Sequence, residues 1–234
     1  LFSHRTRLSP WRSGGRAIEI PADLSRVAGF SDDGNGVQPD EVMLCAMQRV
    51  RAAGSMIAAH CEDDSLLVPG GCVSTGCGER FGLPAISNES EWRQIERDIR
   101  LVEQTGCRYH VCHIPTAESV ELVRRAQKRG LPVTCEVTPH HLFLTEDAIG
   151  DDYNTFLKVN PPLRTAEDAA ALIEGVKDGT VDAIATDHAP HSDFEKDREF
   201  ELAPFGMIGL ETSLSLVITN LVAPGIISWE RAVE

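Results

Sequence analysis

Short apolar runs with strand character end, one after another, on residues able to bind a metal or move a proton. An amphipathic helical stretch follows most of them. That rhythm constrains the fold more than any other feature of the chain. The run 27–30 leads into Ser31-Asp32-Asp33-Gly34, and 56–59 into His60-Cys61-Glu62-Asp63. The run 108–114 contains Tyr109-His110-Val111-Cys112-His113, 133–137 leads to Thr138-Pro139-His140-His141, and 181–186 ends at Asp187-His188. Helices fit 39–53, with Pro39 near the start and Gly54 beyond the end, and 88–105, where Trp92, Ile95, Ile99 and Val102 share a face. Further helices fit 116–128, capped by Thr116 and closed by Gly130, 166–177 before Gly179, and 209–221. A Gly-rich loop reads over 69–82.

Strands alternating with helices predict a parallel sheet with crossover connections. Reactive side chains gathered at strand C-termini suit both a (β/α) barrel and an open doubly wound sheet. No Gly-x-Gly-x-x-Gly and no phosphate-binding Gly-x-x-x-x-Gly-Lys-Ser/Thr follows any strand, which disfavours a nucleotide-binding open sheet. The expected fold is therefore α/β, a (β/α)8 TIM-type barrel. With five strands legible where a barrel has eight, it is expected to be incomplete, its first strands missing. The reading divides the chain into an unassigned segment, 1–25, and a partial metal-dependent barrel, 26–234. The first twenty residues show no period of either kind and are basic, unlike the rest.

Charge narrows the partners. Lys and Arg number 22 against 36 Asp and Glu, a net charge of −14, so a polyanion is repelled and no nucleic-acid partner is expected. The most apolar stretch, 214–227, is interrupted by Ser215, Thr219, Asn220, Pro224 and Gly225, so no membrane partner is expected either. Arg5, Arg7, Arg12 and Arg16 near the start leave no apolar signal-peptide core. The seven cysteines form no Cys-x-x-Cys pair and read as reduced thiols of a cytoplasmic protein.

Asp33, His60, His113 and Asp187 stand at the ends of separate strands. A lone strand-end histidine is more often a surface or hydrogen-bonded residue than a ligand. Four such residues at one barrel rim would converge, and their imidazoles and carboxylates suit zinc or a similar divalent ion. His140 and His141 read as structural hydrogen-bonding groups. Alternation gives His110 the face of Cys112 and turns Cys61 away from His60.

The segment Ala185-Thr186-Asp187-His188-Ala189-Pro190-His191 is the most specific. With it go Phe30 to Gly34, Ala59 to Asp63, His110 to His113, Glu136 to Leu142, Lys158 to Arg164, and Pro204 to Glu211, all in order. On these stretches the chain resembles the dihydroorotases of the amidohydrolase superfamily, specifically the bacterial type with an aspartate on the fourth barrel strand.

That resemblance implies a hydrolase acting on cyclic amides, interconverting dihydroorotate and N-carbamoyl-L-aspartate in pyrimidine biosynthesis with one or two zinc or other divalent ions. It implies Asp33 as the carboxylate bridging two ions, ahead of its neighbour Asp32, and His60 and His113 as ligands of the second ion. Asp187 would bind metal and shuttle the proton. Asn160 and His191 would hold the pyrimidine ring, with 188–205 a mobile segment nearby. Its partners would be a small-molecule substrate and either further copies of itself or aspartate transcarbamoylase. The family's first-strand His-x-His pair and following arginine have no match: the early histidine is His4, with Thr6 two places later. The chain is accordingly expected to be an internal fragment, inactive alone. The alternatives are a noncatalytic dihydroorotase-like subunit scaffolding aspartate transcarbamoylase, and an allantoinase or hydantoinase-type cyclic amidase.

Overall fold

A computed structural model of the chain describes residues 4–7, 24, 27–32 and 34–234. Asp33 and most of the 1–25 segment lie outside the described residues. Six parallel strands follow one another: β1 (His4–Arg7), β2 (Val27–Ser31), β3 (Met56–Ala59), β4 (Arg108–Val111), β5 (Val133–Val137) and β6 (Ala183–Ile184). Each pairs with the next in chain order. Strand β1 is one more than the sequence reading found, in the stretch that shows no period. Along β2 and β3, Phe30, Ser31, Ile57, Ala58 and Ala59 are all buried. Continuous burial of this kind is what a parallel sheet covered on both faces requires.

The chain divides into two compact units, one of residues 1–67, 89–112 and 121–135, the other of 68–88, 113–120 and 136–234. In the first, α1 (Asp40–Ala52) buries Met43, Ala46, Met47 and Val50, the i, i+3, i+4, i+7 stripe of an amphipathic helix. Asp40 and Glu41 open it and Arg49 and Arg51 close it, each sign opposing the helix dipole. After α2 (Thr75–Phe81), which belongs to the second unit, α3 (Asn88–Thr105) buries Ile95, Ile99 and Val102. Helix α4 (Ala117–Lys128) starts where Thr116 Oγ1 accepts from Ser119 N at 3.2 Å. Gly130, at φ 75°, ends it in the left-handed region that glycine adopts at least cost.

In the second unit α2 sits inside the stretch read as a loop. Gly76 and Gly78 lower its helix propensity and hid it. Ser74 caps it through Cys77 N at 3.4 Å, and Cys77 packs with Cys72, Val73, Ile149 and Phe200. Helix α5 (Pro139–Phe143) is capped by Thr138, and α6 (Ala166–Asp178) by a reciprocal Thr165–Asp168 capping box. Then come α7 (Asp193–Lys196), α8 (Ser213–Val217) with a π-turn over Ile218–Val222, and α9 (Trp229–Val233). The helix read over 209–221 thus starts later and loosens into the π-turn. Two strands are shorter than read. The 108–114 run stops at Val111 and the 181–186 run at Ile184, because His113 and Asp187 leave extended geometry at φ 37° and 44°.

Candidate active site

The first unit carries His60, in the turn that follows β3. Asp32, fully buried, accepts the backbone N–H of His60 at 2.8 Å on one oxygen and that of Val37 at 3.3 Å on the other. Burial raises its pKa to about 7, against the pull of those two donors. Asp32 therefore fastens one strand end to another through both carboxylate oxygens.

The rest of the turn is held as closely. Gln94 Oε1 accepts Glu62 N at 3.2 Å, and Gln38 Nε2 donates to Glu62 O at 2.9 Å. Gln38 Oε1 accepts Asp64 N at 3.0 Å, and Ser90 O accepts Asp63 N at 2.7 Å. Gly36 is needed here, since a Cβ would meet His60 O at 3.0 Å and Gln94 Nε2 at 2.7 Å. Cys61 turns away from His60, as alternation predicts, with its Sγ 3.2 Å from Tyr109 Oη. Tyr109 in turn donates to Asp98 Oδ2 at 2.6 Å, and Arg97 Nε to Asp98 Oδ1 at 2.9 Å. Burial pushes Asp98 up to about 6 despite both partners. His60 itself is buried, with Nε2 3.8 Å from Glu62 Oε2. His110 Nδ1 lies 2.7 Å from Thr134 Oγ1, a packing role.

The second unit carries His113, Asn160, Asp187 and His191. His113 and Asp187 hold left-handed backbone without being glycine, a costly conformation that persists where the surroundings impose it and that clusters at functional sites. Past Asp187 the chain is pinned by 205–210. His188 Nδ1 accepts from Gly209 N at 3.1 Å and Leu210 N at 3.3 Å. Ala189 N donates to Met207 O at 3.0 Å, and His191 Nε2 donates to Phe205 O at 2.9 Å. With Nε2 committed, Nδ1 is the ring nitrogen left to meet a ligand. Gly206, at φ 131°, allows the close approach: a Cβ there would lie 2.7 Å from Ala189 O. On the other flank, His141 Nδ1 accepts from Thr138 Oγ1 at 2.8 Å and its Nε2 donates to Pro161 O at 2.9 Å. This holds the segment of Asn160 against the end of β5.

His140 differs from its neighbour. Its Nε2 is buried and has no hydrogen-bond partner among the described residues, and burial lowers its pKa to about 4. The folded value lies below the usual 6.5, so the unfolded chain takes up the proton first, and stability present above pH ~6.5 is lost as pH falls towards 4. His140→Gln removes that loss. The stability of the variant relative to the wild type is expected to rise by about 3 kcal/mol between pH 7 and pH 4, read by urea denaturation at each pH. A pH-independent difference would contradict a buried, neutral His140.

Of the expected site residues, Asn160 and His191 belong to one hydrogen-bonded framework, through Gly206 N to Lys158 O at 2.9 Å and Phe205 O to His191. His60 belongs to the first unit and Asp33 lies outside the described residues. The Asp98–Tyr109 pair and the buried Lys158 and Lys196 were not legible as structural groups, because nothing in their spacing marks them as buried.

Known proteins resemble this chain. Residues 22–119 match the family model described as dihydro-orotase-like. The chain is 52% identical over 226 residues to the dihydroorotase of Brevibacillus brevis, covering 95% of this chain and 53% of that protein. It is 50% identical over 212 residues to the dihydroorotase of Staphylococcus epidermidis, covering 90% and 49%. It thus spans about half the length of the curated relatives it matches. Among solved structures, L-hydantoinase (dihydropyrimidinase) from Arthrobacter aurescens matches with TM-score 0.75 and 27% identity, over 92% of this chain and 52% of that one. Dihydropyrimidinase from Brevibacillus agri matches with TM-score 0.74 and 20% identity, over 88% and 48%. The expected fold, an incomplete (β/α)8 barrel, is borne out. Relatives of this kind imply a divalent metal cofactor.

Proposed function

We propose, from the premise that this chain carries a dihydro-orotase-like domain over residues 22–119, that it is part of a zinc-dependent dihydroorotase. The reaction is the reversible hydrolysis of dihydroorotate to N-carbamoyl-L-aspartate. The observation that carries this reading is the 52% identity over 226 residues to a curated dihydroorotase, against 27% to an L-hydantoinase of similar fold. Asp33, His60, His113 and Asp187 would hold one or two ions. When bound, a divalent ion activates water as a nucleophile at neutral pH and polarises the scissile carbonyl. Asp187 takes the proton of the attacking water and delivers it to the departing amide nitrogen. Asn160 and His191 orient the ring, His191 through Nδ1, because its Nε2 is committed to Phe205. The hydrogen-bonded turn at 60–64 holds the backbone of His60, which supports giving it a ligand role.

The half-length match supports a longer parent that supplies the remaining ligands, with this chain inactive alone. Among the described residues no helix is long and apolar enough to cross a membrane, and a cytoplasmic enzyme fits the reading. The test uses the complete protein, stripped by chelator and reloaded with Zn²⁺. Zinc-dependent formation of N-carbamoyl-L-aspartate is expected, with hydantoin untouched. Hydantoin turnover would replace the reading with a hydantoinase. Association with aspartate transcarbamoylase without any turnover would replace it with a scaffold.

A further inference from the structure

Two lysines of the second unit are buried without a close ion-pair partner among the described residues. Lys196 is 2% and Lys158 3% exposed, and neither forms an ion pair among the described residues. The ammonium of Lys196 donates to Pro204 O at 2.8 Å, Thr155 O at 3.1 Å and Lys158 O at 3.5 Å. That of Lys158 donates to Phe200 O at 2.9 Å and Glu201 O at 3.0 Å, and lies 4.5 Å from the centre of the Phe205 ring. The lysines' own carbonyls accept in return: Thr155 Oγ1 donates to Lys196 O at 2.5 Å, and Gly206 N to Lys158 O at 2.9 Å.

The Lys196–Pro204 bond closes the 196–206 stretch on itself, and every other one of these contacts crosses between two stretches, 155–158 and 196–206. The first leads directly into Asn160, and the second supplies the Phe205 carbonyl that fixes His191. Burying a cation among neutral acceptors is expensive, and an apolar side chain would fill the space at less cost. What an ammonium adds is direction. Its three donors suit three carbonyls, so only one arrangement of the two stretches satisfies it. Desolvation, with Lys158 next, lowers the pKa of Lys196 to about 8, consistent with a cage that compensates the charge incompletely.

We infer that Lys196 and Lys158 are positioning residues that staple the 196–206 loop to the 155–158 segment and thereby set His191 against Asn160 for the substrate ring. The staple stands on the contacts alone; its link to the substrate rests on the dihydroorotase reading. Two measurements separate them. In the 234-residue chain, Lys196→Met is expected to speed backbone hydrogen exchange over 188–206 by about 10–100-fold, with the amides of α6 unchanged. Thr155→Val, which removes one reciprocal bond and keeps the lysine, is expected to shift the same amides by a smaller factor and carries the test if Lys196→Met does not fold. Unchanged exchange over 188–206 in a folded Lys196→Met, or in Thr155→Val if Lys196→Met does not fold, overturns the staple. In the complete enzyme, Lys196→Met is expected to raise KM for dihydroorotate about tenfold with kcat within about threefold of wild type. A fall in kcat at constant KM overturns the positioning role. A wild-type enzyme without turnover sinks the functional reading while the exchange result stands.

Discussion

Asp187→Asn in the complete, metal-loaded enzyme is expected to lower dihydroorotate turnover by about 10²–10⁴-fold, the usual worth of a positioned proton-transfer group. The substitution is chosen for the backbone. Asp187 sits at φ 44°, and asparagine is among the few side chains that tolerate the left-handed region. The fold should therefore survive while the group that accepts and returns the proton does not. Asparagine also keeps one oxygen able to face a metal, so ion content should fall less than turnover. Paired measurements of kcat and bound metal distinguish the two roles given to this residue. Turnover within about tenfold of wild type would show that the proton travels elsewhere. Near-complete loss of metal would show that ligation is its main contribution.

Asp98→Ala is expected to cost about 3 kcal/mol of stability, because it leaves a half-buried cation and a buried hydroxyl without the carboxylate that joins them. Asp98 is fully buried, with Tyr109 Oη at 2.6 Å and Arg97 Nε at 2.9 Å. Arg97 cannot simply swing to water, since its NH2 also donates to Val37 O at 2.7 Å and its NH1 to Gln38 O. The damage should spread along this path. Tyr109 contacts Cys61 beside His60, and Gln38 holds Glu62 and Asp64. Tyr109→Phe removes one hydrogen bond and should cost only about 1 kcal/mol. Urea denaturation of the two variants against wild type checks both numbers. Equal, small losses would mean that the network is wet and replaceable, and that the His60 turn does not depend on it.

Much of the architecture is legible in the sequence. The stripes of α1 and α3, the Thr116 cap and the alternation in β5 are local patterns, and local patterns leave their period in the chain. Helix α2 escaped because two glycines argue against a helix that its Ser74 cap and the packing of Cys77 nonetheless hold together. Strand β1 escaped because its pairing with β2 is a relation between distant segments. At the site, the residue types at strand ends were legible as a set, whereas Asp32 and Asp33 stood side by side with equal chemistry. The two backbone amides on Asp32 are a tertiary feature that no local pattern announces.

The amino-acid order by itself determined the alternation of strand and helix, the acidic surface, and the placement of His60, His113 and Asp187 after separate strands. Each of those follows from side-chain chemistry and periodicity along the chain. Only the tertiary structure decided that Lys158 and Lys196 lie buried among carbonyls, that Asp98 anchors Tyr109, and that His113 and Asp187 bend into left-handed backbone. Burial and strain depend on what the rest of the chain brings alongside, and a residue's neighbours in space are not written in its neighbours in sequence.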